Sequence, residues 1–191
     1  RSIFTKLILL LGLFSVGLVS LAAIDGATLR QRMREDRIGK LKATVDLFAS
    51  YADAQDRLVG AGQITGDQAL ARLRDIAHAA RFDGGTGYMT LQSMDGVVLV
   101  HGADPAREDK RSTATDARGT PILDLMRAAL RDGDSGTITY QYPKPGQTQL
   151  QPKMSYVQRL PSLNGVLLAG AYTDDLDADF RAQMLSMATM T

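Results

Sequence analysis

The sequence contains no cysteine and no tryptophan, and only two of its 191 residues are histidine. Without cysteine, the chain has no disulfide, no thiolate nucleophile and no cysteine-ligated zinc. With so little histidine, a histidine-based metal site is not expected. The formal net charge is +1, so the strong basic excess typical of nucleic-acid-binding proteins is also missing. We therefore expect no nucleic acid among the partners of this chain.

Enzyme signatures are missing as well, since G-x-S-x-G, a Walker phosphate loop, H-E-x-x-H and C-x-x-C do not occur. Asp174, Asp175, Asp177 and Asp179 lack the glycine and the terminal glutamate of a calcium loop. They lie where a helix is predicted to begin, and carboxylates there complement the helix dipole. His78 lies among alanines and reads as an ordinary helix residue. We expect no catalytic residue, no metal and no cofactor.

An uncharged apolar run extends from Leu7 to Ile24 and is about long enough to cross a hydrocarbon core of roughly 30 Å. Arg1 and Lys6 precede it, so the positive-inside rule predicts a cytoplasmic N-terminus and an extracytoplasmic remainder. A cleaved signal peptide is the alternative, although its apolar region is usually shorter, about 7 to 15 residues. We expect residues 1–25 to form a cytoplasmic tip and a transmembrane helix.

Helical spacing of apolar residues characterises the next part of the chain. Residues 27–51 are rich in helix formers, which predicts a long helix leaving the membrane, with its mixed charges on a solvated face. A second helix is predicted over residues 67–80, with Asp67 as its N-cap. Together the two helices are expected to form an antiparallel layer or stalk.

Short strands separated by turns begin at residue 88. The Asp95-Gly96 pair predicts a hairpin turn, and a short helix is predicted from Pro121 to Arg131. Five strands with hairpin-like links indicate an α+β fold, with one antiparallel sheet covered by the N-terminal helices. The predicted strands are Tyr88–Ser93, Val97–His101, Thr137–Tyr142, Lys153–Gln158 and Val166–Tyr172.

A last helix is predicted from Asp174 to Met190, because Leu176, Phe180 and Met184 recur every four residues. We expect residues 181–191 to form an exit helix that continues toward a second transmembrane segment. On this interpretation the chain is a fragment of a receptor whose cytoplasmic output domain lies beyond it.

Tyrosines and cations are concentrated in the strand region, and strand alternation places Tyr140 and Tyr142 on one face. Phenol, ammonium, imidazole and guanidinium groups recognise a small carboxylate through charge-assisted hydrogen bonds. The alternative is that the tyrosines pack the sheet and keep their hydroxyls in water. The strand tyrosines and cations are Tyr88, Tyr140, Tyr142, Tyr156, Tyr172, His101 and Lys153.

The order of several motifs resembles the single Cache domain of bacterial chemoreceptors and sensor kinases, over roughly residues 28–180. The motifs are A-R-F-D-G-G-T-G-Y at 80–88, D-G-V-V-L-V-H at 95–101, D-A-R-G-T-P at 116–121, G-T-I-T-Y-Q-Y-P-K-P-G at 136–146, K-M-S-Y-V at 153–157 and A-G-A-Y-T-D-D-L-D at 169–177.

This resemblance implies a PAS-like five-stranded antiparallel sheet, with a long N-terminal helix and a second helix packed on it. It also implies that residues 26–180 form a periplasmic domain of a bacterial inner-membrane receptor that binds a C2–C4 organic acid, such as acetate, propionate, pyruvate or lactate. A chemoreceptor that acts as a homodimer through its long N-terminal helices is the expected setting. The alternatives are a histidine kinase, a cyclic-dinucleotide enzyme, or a module that recognises a periplasmic protein.

Carried over by motif, the candidate ligand-binding residues are Arg81, Tyr88, His101, Tyr140, Tyr142, Lys153 and Tyr156. The family commonly has Pro at the position of Gly102, Trp at the position of Tyr142, and Trp within the segment 161–165. Strict alternation also places Lys153 and Tyr156 on opposite faces of their strand. Either a bulge lies between these two residues, or one of them does not touch the ligand.

Overall fold

The structure is a computed structural model that describes residues 3–174, with some side chains among residues 3–25 left out. The predicted helix after Asp174, the exit helix at 181–191 and the rest of the aspartate cluster lie outside the described residues. Residues Ile38–Asp175 form one compact unit, which contains the whole sheet.

Residues 3–174 contain three α-helices: α1 (Ile3–Gly60), α2 (Gly66–Ala79) and α3 (Ile122–Ala129). Helix α1 contains both the apolar run and the helix that the sequence predicts after it. Over the described residues, no helix combines the length and the hydropathy needed to cross a membrane.

The start of α2 differs from the prediction that Asp67 is its N-cap. Thr65 is the N-cap: its hydroxyl oxygen accepts a hydrogen bond from the Gln68 backbone N–H at 3.2 Å. In return, the backbone N–H of Thr65 donates to the Gln68 side-chain oxygen at 2.9 Å. This reciprocal capping box satisfies two donors at the helix start, whereas Asp67 lies in the first turn and complements the helix dipole.

Five strands form one sheet, which confirms the predicted α+β fold. The strands are β1 (Tyr88–Ser93), β2 (Val98–His101), β3 (Ser135–Pro143), β4 (Leu150–Leu160) and β5 (Gly165–Tyr172). Their order across the sheet is β2-β1-β5-β4-β3, and every neighbouring pair is antiparallel. The short 3₁₀ turn Pro105–Arg107 follows β2, in the loop that leads to α3.

One face of the sheet packs against α1 and α2. Leu41, Val45 and Phe48 of α1 and Leu73 of α2 are buried against alternate residues of the strands. Burying a large apolar side chain is worth about 1.5–3 kcal/mol, so this layer is the main apolar core of the unit. The strand residues on this face are Met89, Leu91, Val100, Met154, Tyr156, Leu167, Ala169 and Ala171.

The opposite face of the sheet is only partly covered by apolar packing. Helix α3 buries Ile122 and Met126 against a second apolar cluster that includes Ile138, Val157 and Leu168. The polar loop between β2 and α3 completes the cover on this side, and a cavity lies under it.

Candidate functional site

The cavity on the α3 side of the sheet has a volume of about 310 Å³. Its lining includes three cations, Arg107, Lys110 and Arg111, and no aspartate or glutamate. The remaining lining residues are Tyr88, Thr90, Gln92, Val98, His101, Ala106, Ser112, Thr113, Ala114, Ile122, Met126, Tyr140, Tyr142 and Leu168. This charge balance favours an anion over a cation as the occupant.

Strand geometry decides which side chains face the cavity. In β1, alternation directs Tyr88, Thr90 and Gln92 to the cavity. In β2, the pairing with β1 shifts register between Leu91 and Gln92, so that one extra residue of β2 is accommodated. Because of this irregularity, both ends of β2, Val98 and His101, line the cavity although they are three positions apart.

Lys153 lies beneath the tyrosines at one end of the cavity, with 1% of its surface exposed. Its Nζ is 4.0 Å from the centre of the Tyr88 ring, 4.8 Å from that of Tyr172 and 5.5 Å from that of Tyr142. Within residues 3–174, no carboxylate forms a salt bridge with this ammonium. Burial lowers the pKa of Lys153 to about 7, and the aromatic faces stabilise its charged form only in part.

A glycine makes room for the lysine. A Cβ at Gly170 would lie 2.6 Å from Cε of Lys153 and 2.4 Å from the hydroxyl of Ser155, both closer than packed atoms tolerate. Only glycine at this position of β5 therefore permits the observed path of the lysine side chain.

The tyrosine hydroxyls near Lys153 are held in place by neighbours. The Tyr140 hydroxyl lies 3.1 Å from that of Ser155, and the Tyr142 hydroxyl accepts a hydrogen bond from the Arg107 guanidinium at 2.8 Å. Burial raises the pKa of Tyr140, so its hydroxyl stays protonated at physiological pH.

Two further tyrosines, Tyr88 and Tyr172, also lie around the Lys153 ammonium. The Tyr172 hydroxyl donates to the carbonyl oxygen of Pro143. Burial raises the pKa of both Tyr88 and Tyr172. Tyr88, Tyr140 and Tyr172 are therefore neutral phenols at physiological pH, and they do not compete with a bound anion for the positive charge.

His101 stacks on Tyr88, with ring centres 5.2 Å apart and an interplanar angle of 27°. Its Nδ1 accepts a hydrogen bond from the Asp104 backbone N–H at 2.9 Å, so Nε2 carries the proton of the neutral ring. Burial, together with the nearby Arg107 charge, lowers the pKa of His101 to about 4. The imidazole is thus a neutral donor at physiological pH.

Five of the seven candidate residues come together here. Tyr88, His101, Tyr140 and Tyr142 line the cavity, and Lys153 contacts the rings at its end. We call the groups at this end, Tyr88, His101, Arg107, Tyr142, Lys153 and Tyr172, the cationic pocket.

Arg81 and Tyr156 lie elsewhere. Tyr156 belongs to the helix-side core, and the β4–β5 pairing runs without a break from Lys153↔Tyr172 to Leu160↔Gly165. No bulge separates Lys153 from Tyr156, so the two side chains point to opposite faces. Arg81 is exposed and does not line the cavity.

Three residues of the cavity or of the cationic pocket, Tyr172, Gln92 and Arg107, are not among the ligand-binding candidates inferred from the sequence. Tyr172 was grouped with the strand tyrosines but was not carried over as a ligand-binding candidate. Gln92 follows Tyr88 by four residues, so alternation alone could have placed it on the same face. Arg107 comes from an irregular loop, where no periodicity predicts the direction of a side chain.

Two departures from the family pattern, Gly102 and Tyr142, are explained by contacts in the structure. The Gly102 N–H donates to the Met89 carbonyl at 2.8 Å, a bond that proline cannot make. A Cβ at Gly102 would also lie 2.8 Å from the Ala77 carbonyl oxygen. Tyrosine rather than tryptophan at 142 supplies the hydroxyl to which Arg107 donates.

Three solved structures share this fold. One, described as the structural basis for carboxylic acid recognition by a Cache chemosensory domain, matches with a TM-score of 0.68 and 23% identity, over 75% of this chain and 98% of that one. A periplasmic sensor domain of a chemotaxis protein also has a TM-score of 0.68, with 26% identity, over 75% of this chain and 99% of that one. A methyl-accepting chemotaxis protein from Vibrio parahaemolyticus has a TM-score of 0.66 and 23% identity, over 79% and 98%.

Sequence comparison identifies a longer relative. The methyl-accepting chemotaxis protein McpP of Pseudomonas putida is 26% identical over 170 residues, which cover 88% of this chain and 30% of the relative. The chain therefore spans about a third of the length of that relative. The Single Cache domain 2 family matches residues 33–186, most of the sequence. The expected resemblance is confirmed, and the chain belongs to the Single Cache domain 2 family.

Proposed function

We propose that this chain is the extracytoplasmic sensor part of a bacterial chemoreceptor, and that it binds a small organic acid in the cationic pocket. The observation that carries the proposal is Lys153, a buried ammonium without a carboxylate partner among the described residues. An unpaired buried charge is costly, and a bound carboxylate supplies the missing counter-charge.

The groups around Lys153 suit the two oxygens of a carboxylate. The ammonium supplies the charge, and the protonated Nε2 of His101 and the hydroxyls of Tyr88 and Tyr142 supply further donors, whereas the Tyr172 hydroxyl already donates to Pro143. The Arg107 guanidinium, which donates to Tyr142 and forms an ion pair with Asp104 at 3.1 Å, adds a second, partly neutralised cation at the rim. Charge-assisted hydrogen bonds of this kind are stronger than neutral ones, so they favour a carboxylate over its amide.

The membrane setting is part of the same proposal. Residues 1–25 would anchor the chain, residues 26–180 would form the periplasmic sensor, and residues 181–191 would lead toward a second membrane segment. The family and the chemotaxis protein relatives support a sensing role rather than catalysis. A ligand would signal by favouring one arrangement of the helices that run to the membrane.

A homodimer through the long N-terminal helix fits this scheme. Leu47 on α1 is 75% exposed, although Val45 and Phe48 beside it are buried. A disulfide introduced with Leu47→Cys should link two chains in membranes under mild oxidation. If neither this crosslink nor sedimentation of the purified chain reveals a dimer, with or without ligand, the dimer proposal fails.

Titration calorimetry of the whole chain in detergent micelles would test carboxylate sensing. The ligands are acetate, propionate, pyruvate and lactate, and each is compared with its uncharged amide. We expect at least one acid to bind and its amide to bind at least tenfold more weakly, because the amide cannot neutralise Lys153. Equal binding of acid and amide would contradict recognition of the charge. A folded chain that binds no acid would favour a protein or an amine as the signal.

A further inference from the structure

The side-chain amide of Gln92 lies in the same cavity as the cationic pocket, in the part that β1 lines farthest from Tyr88. Gln92 is 5% exposed, and its buried Oε1 has no hydrogen-bond partner among the described residues. A buried polar group left without a partner is destabilising, so native proteins rarely keep one without a reason. The amide is thus available to a bound molecule.

The distance between the two polar ends limits what can reach both. Tyr88 and Gln92 are four residues apart on one strand face, which corresponds to roughly 13 Å. Lys153 lies against the Tyr88 ring, at the other end from the amide. A ligand that contacts both ends must therefore be several bonds long.

Much of the wall between the two ends is apolar, although Thr90 of β1 also lines the cavity between Tyr88 and Gln92. Ile122 and Met126 of α3 and Leu168 of β5 line the same cavity, and Val98 pairs directly with Gln92. Such a surface favours methylene groups over further polar groups. The cavity thus has a cationic end, a mainly apolar middle that includes the Thr90 hydroxyl, and an amide end.

The volume of the cavity also favours a ligand longer than the shortest carboxylates. At about 30 Å³ for each water molecule, a cavity of about 310 Å³ has room for roughly ten water-sized groups. The shortest carboxylates would occupy only the cationic pocket and leave the amide end filled with water. A longer acid would use the whole cavity.

We propose that the preferred ligand is a hydroxy-carboxylic acid, with its carboxylate at Lys153 and a distal hydroxyl at Gln92. The carboxylate end rests on the proposed function above, whereas the hydroxyl end rests on Gln92 alone. A hydroxyl is both donor and acceptor, so it can pair with the amide whichever way the amide is turned. The alkyl segment lies along the apolar wall.

A dicarboxylate is the competing ligand, because Lys110 and Arg111 also line the cavity. Both side chains are exposed and already donate to backbone carbonyls, Lys110 to Ala106 at 2.7 Å and Arg111 to Asp95 at 2.8 Å. Both cations keep their charge and further donors but lie exposed at the rim, whereas the Gln92 side chain is buried and its Oε1 has no partner among the described residues. The dicarboxylate therefore serves as a comparison ligand.

The experiment is titration calorimetry of the whole chain with three matched series of increasing chain length. These are linear monocarboxylates, their ω-hydroxy derivatives and the corresponding dicarboxylates. We expect the hydroxyl to raise affinity about tenfold at the chain length that reaches Gln92, and to give no gain at the shortest lengths. A gain for the dicarboxylates but not for the hydroxy acids would overturn the proposal.

Gln92→Met, which keeps side-chain length but removes the amide, isolates the proposed contact. In this variant the ω-hydroxy acids should lose their advantage over the unsubstituted acids of the same chain length. Its ligand-free melting temperature should not fall, since an unpaired buried amide is removed. An advantage that persists in Gln92→Met would overturn the assignment. If Gln92→Met misfolds, the dependence of affinity on ligand chain length in the unmodified chain still tests the proposal.

The result separates this inference from the proposed function. If unsubstituted acids bind but no hydroxyl improves affinity, carboxylate sensing stands and the hydroxyl subsite is refuted. If no acid of any series binds, carboxylate sensing itself is refuted, and the hydroxyl subsite with it.

Discussion

The two faces of the sheet are made of the same strands but have different tasks. On the helix side, Leu91, Met154 and Leu167 pack against α1 and α2 in a closed apolar layer. On the α3 side, the alternate residues include Lys153, which is buried and forms no salt bridge within residues 3–174, and Gln92, whose buried Oε1 has no hydrogen-bond partner there. If the proposed function holds, stability is concentrated on one face and recognition on the other. Substitutions should therefore separate the two properties according to face.

The largest expected effect on binding comes from Lys153→Met. Removing the ammonium eliminates the charge that balances the carboxylate, so we expect the affinity for the acid to fall by about 2–5 kcal/mol. The ligand-free chain should not lose stability, because an unpaired buried charge is costly to the fold. Titration calorimetry and thermal unfolding would measure the two quantities.

Lys42→Met is the matched control on the opposite face. Lys42 lies on α1 with its Nζ 5.9 Å from the centre of the Tyr156 ring, away from the cavity. This variant should bind the acid like the unmodified chain. Equal losses in both lysine variants would show that the effect is one of overall charge rather than of the pocket.

Tyr156→Ala should have the reverse effect. Truncating this buried aromatic residue creates a cavity in the helix-side core and should lower the free energy of unfolding by about 3–5 kcal/mol. The dissociation constant for the acid should change little at a temperature where the chain stays folded. A specific loss of affinity would contradict the assignment of Tyr156 to the other face.

Gly170→Ala tests the close contact between β5 and the Lys153 side chain. The added methyl group collides with Lys153 and Ser155, so we expect a loss of about 1–3 kcal/mol in stability and weaker acid binding. Gly39→Ala is the control, because a Cβ there meets nothing within 4 Å. In helix α1 this control should be neutral or slightly stabilising. Normal acid binding by Gly170→Ala would count against the position assigned to Lys153.

The smallest effect is expected from a change of one pH unit. Burial lowers the pKa of Lys153 to about 7 from an ordinary value of 10.5, so the ligand-free chain loses this proton as pH rises through about 7. An anion favours the protonated form, and binding above that pH should take up a proton. Affinity should then fall by up to tenfold per pH unit above about pH 7. Calorimetry in buffers of different ionisation enthalpy would measure the proton uptake.

The lowered pKa of Lys153 also makes the free energy of unfolding depend on pH. Between about pH 7 and 10.5 the unfolded chain keeps a proton on Lys153 that the folded chain has released. The contribution of this group to stability therefore increases with pH in that window and is lost below it. Lys153→Met should remove both dependences, whereas Lys42→Met should leave them in place. A pH profile that is identical in all three chains would exclude Lys153 as its source.

Much of the fold could be predicted because local patterns agree with it. Strand β1 was predicted at its observed bounds, and α2, β2 and β5 within one or two residues, because alternation and turn residues mark them clearly. Strands β3 and β4 are longer than predicted, since pairing with neighbours extends them into residues without strong propensity. The N-cap of α2 was misplaced because Thr65 and Asp67 are both good capping residues, and only the backbone geometry distinguishes them.

The sequence by itself determined the fold class, the family and most residues of the cationic pocket, because periodicity and ordered motifs depend on neighbours along the chain. Only the tertiary structure decided that Lys153 lies among Tyr88, Tyr142 and Tyr172, and that Tyr156 faces the other way. It alone showed that the Gln92 amide is buried without a partner. Burial and convergence depend on strands that are distant in sequence and adjacent in the sheet. No local sequence pattern indicates which side chains of these strands come into contact, or which polar groups remain without a partner.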